Sequence, residues 1–316
     1  MNQNRMLRSL TLLVIVFLDT AAYAQLKQEV KISNVTIIPK INNEGATSMQ
    51  VNYALNFKYS RQDKLNAKDS SDNHYRIELR LETDSGLVLA QQGYEKYIDS
   101  AGTLIFRDEV LLSIERYYAG NAIFLPIASL HLETGTYRIR AVMRCYDYSR
   151  QQVTDDFRSG FTVFKMPPHQ AVKLMMRHIS VSPIDPSGEP WDYYPFNFHK
   201  SLPDVFWDLR YGTGIIHTSA TQWDTYEWDD QFGAGDYTFY VIKGDVLRMR
   251  IYDRDVYSPN DLIGSTYISM GPKCCDGKLH NLKFDYVLNM VYAISEDVNA
   301  TIEYMPVVPS DTIIKK

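Results

Sequence analysis

The residues most able to do chemistry are three aspartates that follow one short strand pattern. Asp253, Asp255 and Asp261 succeed an alternating segment, and Gly264 closes the motif. Side chains two residues apart share a face of a strand, so Asp253 and Asp255 are expected on the same side. The turn sequence at 258–260 can fold Asp261 back beside them. Carboxylates this close repel one another unless a cation lies between them, and hard oxygen ligands in a loop favour calcium.

The segment that must position these aspartates is predicted to be a half-buried strand. Leu247, Met249 and Ile251 alternate there with polar or larger residues, which is the two-residue period of a strand with one buried face. The acidic residues would then lie at the end of this strand. An acidic surface hairpin with no ligand is the alternative, because aspartate is common in turns.

The spacing of this motif resembles the third calcium-binding loop of C2 domains, the β-sandwich modules of synaptotagmin and protein kinase C. The matching positions are Asp253, Asp255, Asp261, Ile263 and Gly264. A looser resemblance extends over residues 172–306 and does not reach the first half of the chain. It implies two further calcium ligands at Asp204 and Asp192, with Asp185 as a substitute for Asp192, because the gap between Asp192 and Asp204 is longer than in the family.

The resemblance also implies a partner, because calcium in C2 domains completes its shell with lipid phosphate or water. We therefore expect a calcium-dependent module that binds a phospholipid membrane surface or a protein partner. Large aromatic residues of the first and third loops are candidates for that contact: Trp191, Tyr193, Tyr194, Phe196 and Tyr257. The alternative is that the first-loop aromatics cover the core of their own loop, since long ordered loops need packing of their own.

Two other functions fit the same sequence. A carbohydrate-binding β-sandwich would use Trp191, Trp223 and Trp228 as its platform, and a structural or assembly protein would keep a C2-like fold without calcium. The chain lacks the sequence motifs of hydrolases, metalloproteases and phosphate-binding loops. We therefore expect a protein that is not an enzyme.

Composition describes a globular protein that is mildly acidic. The 316 residues are 45% hydrophobic and 22% charged, with a formal net charge of −5. This length suggests two domains, and the charge balance argues against nucleic acid as a partner.

The N-terminus has the pattern of a secretory signal peptide. Arg5 and Arg8 precede an apolar run, and Ala22-Tyr-Ala24 resembles a cleavage site, so residues 1–24 are expected to be removed on export. This predicts a periplasmic or extracellular protein, with peripheral membrane attachment as one option. Of the three cysteines, Cys145 is expected to be a buried hydrophobe, and adjacent Cys274 and Cys275 lack zinc-site or redox-site spacing. Their pairing stays open.

Strand patterns dominate the mature chain and predict an all-β fold with two antiparallel β-sandwich domains in tandem, the second C2-like. The first domain, immunoglobulin-like, fibronectin-like or C2-like, covers residues 25–165, with its first strand ending at Pro39, a strand candidate over 103–112 and a candidate short helix only over 108–118. Two prolines stiffen the boundary. The second domain covers residues 170–306, and residues 307–316 form a tail.

Overall fold

A computed structural model describes the protein over residues 29–58, 74–111, 118–147, 150–191, 202–230, 235–255, 259–271 and 274–296. The regular structure in these ranges is β-strand, apart from two short 3₁₀ turns at Glu95–Tyr97 and Ile127–Ser129. The strands form several antiparallel sheets, so the all-β prediction is confirmed. No helix within the described ranges has the length and apolar character needed to cross a membrane. The proposed signal peptide at 1–24 and the tail at 307–316 lie outside them.

The first half of the chain supplies two antiparallel sheets. Their strands are β1 (Glu29–Asn43), β2 (Ala46–Lys58), β3 (His74–Thr83), β4 (Gly86–Leu87), β5 (Phe106–Leu111), β6 (Tyr118–Pro126), β7 (Gly135–Tyr146), β8 (Phe157–Arg158) and β9 (Thr162–Met166). A three-stranded sheet has the order β1-β2-β6. A six-stranded sheet has the order β4-β3-β7-β8, with β5 also paired to β3 and β9 to β7.

The second half supplies two more antiparallel sheets. Their strands are β10 (His169–Val181), β11 (Val205–Tyr211), β12 (Gly214–Thr218), β13 (Glu227–Asp229), β14 (Asp236–Ile242), β15 (Val246–Asp253), β16 (Asp261–Ser269), β17 (Asp276–Phe284) and β18 (Val287–Glu296). One sheet has the order β13-β10-β18-β17, with β14 also paired to β10. The other has the order β12-β11-β15-β16 and carries the acidic motif.

Alternation decides which face of each strand is buried. Met49, Val51 and Tyr53 of β2 are at most 1% exposed, as the two-residue period predicts. Strand β15 follows the same rule, with Leu247, Met249 and Ile251 fully buried between half-buried neighbours. Burial of these apolar faces between paired sheets supplies the main favourable free energy of folding. Cys145 of β7 is fully buried in this core, as expected.

Two local predictions for the first half are wrong. Strand β1 does not end at Pro39 but continues to Asn43, because a register shift between Ile38 and Ile41 takes the proline out of regular pairing with β2. Proline has no N–H to donate, and a bulge is a place where a strand tolerates that loss. The segment that begins at Asp108 is not helical in its described part, since β5 runs to Leu111 and pairs with β3.

The two halves of the chain are joined by buried polar contacts. Asp245 lies directly ahead of β15 and is 6% exposed. Its carboxylate accepts hydrogen bonds from the Thr47 N–H at 2.8 Å, from the Thr47 hydroxyl at 2.7 Å, and from the Tyr211 hydroxyl. Burying a carboxylate is costly unless donors surround it. Three donors from both halves meet this need, so the carboxylate holds β2 against the second half.

Tyrosine hydroxyls and one close backbone approach extend this junction. Tyr94 donates to the carbonyl of Tyr240 at 2.8 Å, and Tyr97 donates to that of Ile215 at 3.1 Å. Gly93 has φ +85°, and a Cβ there would lie 2.4 Å from the Cβ of Phe239. The first half thus contacts β14 so closely that only glycine fits at this position.

A histidine near the junction lies in an aromatic environment. The His217 ring centroid is 4.9 Å from that of Trp207 and 4.3 Å from that of Tyr237. Burial, with a smaller contribution from the positive charge of Lys96, lowers the pKa of His217 to about 4. The folded protein therefore resists protonation of this ring.

This pKa predicts a loss of stability in acid. The unfolded chain binds a proton at His217 near pH 6.5, whereas the folded chain does so only near pH 4. The contribution of His217 is therefore complete above pH 6.5 and declines as the pH falls towards 4. Because the ring is partly exposed, we expect a loss of about 1–2 kcal/mol.

Urea denaturation between pH 4 and 7.5 measures this loss, and His217→Phe should flatten the profile. The matched control is His178→Gln, because His178 is partly exposed and faces Asp229 at the surface. An unchanged slope in His217→Phe would contradict the assignment.

Candidate acidic site at one end of the second half

Four aspartates lie at one end of the sheet that contains β15, and we call them the acidic edge: Asp204, Asp253, Asp255 and Asp261. Val205 pairs with Asp253 in the β11–β15 register, and Asp253 pairs with Asp261 in the β15–β16 register. Three adjacent strands therefore place Asp204, Asp253 and Asp261 at the same end, and for Asp261 the turn sequence at 258–260 predicts this position. Asp255 follows β15 by two residues.

Asp253 is the buried member of the acidic edge. It is 0% exposed, and its Oδ1 accepts the Asp204 backbone N–H at 2.7 Å. The Arg254 N–H donates in return to the Asp204 carbonyl at 3.0 Å. Asp253 therefore fixes the start of β11 against the end of β15, and one of its oxygens is committed to this task.

Asp204 and Asp261 occupy electrostatically unfavourable positions. Burial raises the pKa of Asp204, and the negative charges of Asp224 and Asp255 add to that rise, although the hydrogen bond from the Asp224 N–H and the positive charge of Arg254 oppose it. Burial also raises the pKa of Asp261, together with the charges of Asp255 and Asp185. The Asp255 carboxylate thus lies near enough to both carboxyl groups to disfavour their ionised forms.

Asp255 has a carboxylate group whose hydrogen bonding is incomplete. Its Oδ2 is buried and has no hydrogen-bond partner in the part of the chain that the structure describes. Its backbone N–H donates to the Asn260 side chain at 3.1 Å, which closes the turn. A buried carboxylate oxygen without a donor is costly, and a bound cation relieves that cost.

Asp185 approaches the edge but is occupied with its own turn. Its Oδ1 accepts from the Ser187 N–H at 2.8 Å, the Ser187 hydroxyl at 2.7 Å and the Glu189 N–H at 3.0 Å. These hydrogen bonds, the Ser187 hydroxyl first, lower the pKa of Asp185. As a substitute ligand for Asp192 it would have to use its other oxygen.

The acidic edge supplies carboxylate oxygens, but the described residues do not arrange them into a ligand shell. Carboxylate oxygens are the ligands that calcium prefers. Within the described ranges, however, no group of three or more histidine, cysteine, aspartate or glutamate side chains is arranged to hold a metal ion. Asp192, the remaining candidate ligand, lies outside the described residues, as do the contact candidates Tyr193, Tyr194, Phe196 and Tyr257.

The tryptophans divide between core and surface. Trp191 is 8% exposed, donates from Nε1 to the Ser182 carbonyl at 2.8 Å and packs edge-on against Tyr286. This contact removes Trp191 from the exposed candidates and agrees with the packing alternative. Trp228 is 1% exposed, whereas Trp223 is 56% exposed with the Arg254 guanidinium 5.7 Å from its ring. The three tryptophans therefore do not form an exposed sugar-binding platform.

Two exposed aliphatic residues beside the acidic edge were not identified from the sequence. Ile184 and Leu262 are each 46% exposed and directly neighbour Asp185 and Asp261 in the chain. The sequence shows an apolar residue next to each of these two aspartates. The alternation of a strand, however, does not say which of its two faces is buried, so the exposure of these residues could not be predicted. Together with Trp223 they put apolar surface around the carboxylates.

Comparison with solved structures finds distant similarity to C2 domains. The structure of a C2 domain has a TM-score of 0.29 and 14% identity, and the match covers 40% of this chain and 98% of that one. A fragment of Extended-Synaptotagmin 2 with its SMP domain and two C2 domains has a TM-score of 0.31 and 9% identity, with coverage of 84% and 57%. A calcium-bound fragment of the same protein with the two C2 domains alone has a TM-score of 0.28 and 9% identity, with coverage of 72% and 97%.

No family model and no curated protein matches the chain. This chain spans 57% of the longer Extended-Synaptotagmin 2 fragment. The comparisons therefore extend to a distant likeness of fold, and function has to be argued from the residues of this chain.

The different roles of Asp253 and Asp255 predict opposite effects on stability. Asp253→Ala leaves the Asp204 N–H without its acceptor, so we expect a loss of about 2–3 kcal/mol in the free energy of unfolding. Asp255→Ala removes an unpartnered buried oxygen and a source of repulsion, so stability should stay within about 0.5 kcal/mol or rise. Urea denaturation in chelator measures both, and equal losses would contradict the assignment.

Proposed function

We propose that the second half of the protein is a calcium-dependent module that docks on phospholipid surfaces. The observation that carries the proposal is the buried, unpartnered Oδ2 of Asp255 beside two carboxyl groups whose pKa values are raised, Asp204 and Asp261. A calcium ion would supply positive charge to these oxygens and open positions for phosphate. The candidate ligands are Asp204, Asp253, Asp255 and Asp261, with Asp192 next.

The residues of the acidic edge have distinct tasks in this proposal. Asp253 holds the start of β11 in place through the Asp204 N–H. Asp204 uses its Oδ1 to accept the Asp224 N–H at 2.7 Å, which fixes the neighbouring loop, and keeps its second oxygen for a cation. Asp255 and Asp261 approach from the other side of the β15–β16 turn. Without a cation this end carries dense negative charge that repels anionic lipid headgroups.

Apolar side chains beside the acidic edge favour a lipid surface over a fully polar partner. Ile184, Trp223 and Leu262 are exposed on the three segments that carry or flank the carboxylates. An exposed apolar group in water gains free energy when it enters the headgroup region, and tryptophan is suited to that boundary. A protein partner with an apolar surface is the competing ligand that the liposome experiment below distinguishes.

The remaining parts of the proposal concern the whole chain. The sequence of residues 1–24 supports export, and the absence of a recognised catalytic motif from the sequence supports a binding role without enzymatic activity. The first half then serves as a support for the module. Its buried contacts to Asp245 through Thr47, and to the Tyr240 carbonyl through Tyr94, favour such a role.

Calorimetric titration with calcium tests the metal site. We expect wild-type protein to bind with a dissociation constant of about 10⁻⁴–10⁻³ M, the range of weak extracellular modules. Asp255→Asn/Asp261→Asn should weaken binding at least about tenfold, a loss of roughly 1.4 kcal/mol. Asp276→Asn is the matched control, because Asp276 pairs with Ser295 at the opposite end of the second half. The calcium site would be refuted if the wild type, the double variant and the control variant all gave the same heat of calcium binding, or if none of them gave any.

Liposome flotation tests the membrane contact separately. Vesicles of phosphatidylserine and phosphatidylcholine should capture the protein in calcium and release it in chelator. Leu262→Ser should reduce capture several-fold without changing calcium affinity, since Leu262 is exposed and carries no ligand. Leu279→Ser is its control, because Leu279 is 63% exposed on β17, away from the acidic edge. Calcium binding without capture would favour a protein partner, and capture that resists chelator would contradict a calcium-dependent mechanism.

A further inference from the structure

Two adjacent cysteines form a cluster that the acidic edge does not use. Cys274 and Cys275 precede β17 in a turn closed by the Cys274 N–H, which donates to the Gly271 carbonyl at 3.1 Å. Both side chains are half-buried and pack against the core. Burial raises the pKa of the Cys275 thiol, and the neighbouring Cys274 thiol acts in the same direction. The two thiols are therefore neighbours, and both are partly accessible to a small reagent.

One polar side chain contacts this pair of cysteines, and the third cysteine of the chain lies elsewhere. Gln170, the second residue of β10, donates from Nε2 to the Cys275 Sγ at 3.8 Å. Gln170 lies shortly after the two prolines that separate the halves of the chain. The third cysteine, Cys145, is fully buried in the first half, so it does not compete for the same reagent. All three cysteines are present as free thiols.

We propose that Cys274 and Cys275 are a redox-sensitive dithiol that small-molecule disulfides oxidise to a disulfide between adjacent residues. The Cys274 thiolate attacks one sulfur of the small disulfide, the bond between its two sulfurs breaks, and the released thiolate takes up a proton. The Cys275 sulfur, after losing its proton, then attacks the Cys274 sulfur and expels the second small thiol. The pair loses two electrons and two protons, and the small disulfide becomes two thiols.

Two features set the behaviour of this pair. Burial raises the pKa of the Cys275 thiol to about 12, and the neighbouring Cys274 thiol acts in the same direction. The second step therefore limits the rate and accelerates as the pH rises. The Cα atoms of adjacent residues lie about 3.8 Å apart across a trans peptide, closer than in ordinary disulfides, so the product is strained and easily reduced. These properties indicate a reversible modification and not a permanent crosslink.

Peptide mass spectrometry of the full-length chain tests the proposal. The protein is incubated with oxidised glutathione, free thiols are blocked by alkylation, and tryptic peptide 274–278 is analysed. We expect this peptide to lose the mass of two hydrogen atoms and to resist alkylation until dithiothreitol is added. Oxidation should be faster at pH 9 than at pH 7. In Cys275→Ser, the same peptide should instead carry a glutathione adduct at Cys274.

Three results would overturn the proposal. The first is full alkylation of Cys274 and Cys275 in the wild-type protein at every concentration of oxidised glutathione. The second is a glutathione adduct that persists in the wild-type peptide, and the third is the formation of disulfide-linked dimers. A thermal melt of Cys275→Ser establishes that the variant is folded, and Cys274→Ser serves as a second variant if it is not. Neither residue belongs to the acidic edge, so this test and the calcium titration succeed or fail independently.

Discussion

Strand β15 lies between two buried carboxylates, and the structure of the second half depends on how their charge is accommodated. Asp245 directly precedes the strand and Asp253 ends it, at 6% and 0% exposure. A carboxylate removed from water is tolerated only where donors replace the lost hydration. Each of these carboxylates accepts a backbone N–H from another strand or its flank, that of Thr47 at one end and that of Asp204 at the other.

The two ends of β15 thereby have different roles. At the Asp245 end, donors from both halves of the chain converge, and the close approach of Gly93 to Phe239 supports the same junction. At the Asp253 end, one carboxylate holds the backbone of β11, and the others remain beside one another, two of them with raised pKa values. The same residue type is thus structural where donors surround it, and its ionised form is disfavoured where carboxyl groups lie beside one another.

Sequence patterns predicted the parts of the fold that depend on periodicity. The alternation in β2 and β15 identified the buried faces, and the motif from Asp253 to Asp261 identified carboxylates that the neighbouring strands β15 and β16 bring to one end. These predictions succeed because the two-residue period of a strand is a local property of the backbone. Pro39 shows the limit, because a bulge set by pairing with β2 lets the strand continue past a residue that usually ends one.

The same sequence patterns could not predict whether an individual side chain is buried. Trp191 and Trp228 lie in the core while Trp223 is exposed, although all three occur in polar, aromatic segments. Which ring is covered depends on contacts with distant residues, such as that of Trp191 with Tyr286. The different roles of Asp253 and Asp255 also depend on tertiary contacts. The motif specifies two carboxylates, but it does not say which of them accepts the Asp204 N–H.

A crystal structure of the protein grown in millimolar calcium tests the central claim most directly. We expect a calcium ion with ligand distances of about 2.3–2.6 Å to oxygens of Asp204, Asp255 and Asp261. We also expect that Asp253 Oδ1 still accepts the Asp204 N–H. An acidic edge without an ion at saturating calcium, or an Asp253 carboxylate that has left the Asp204 N–H, would contradict this claim.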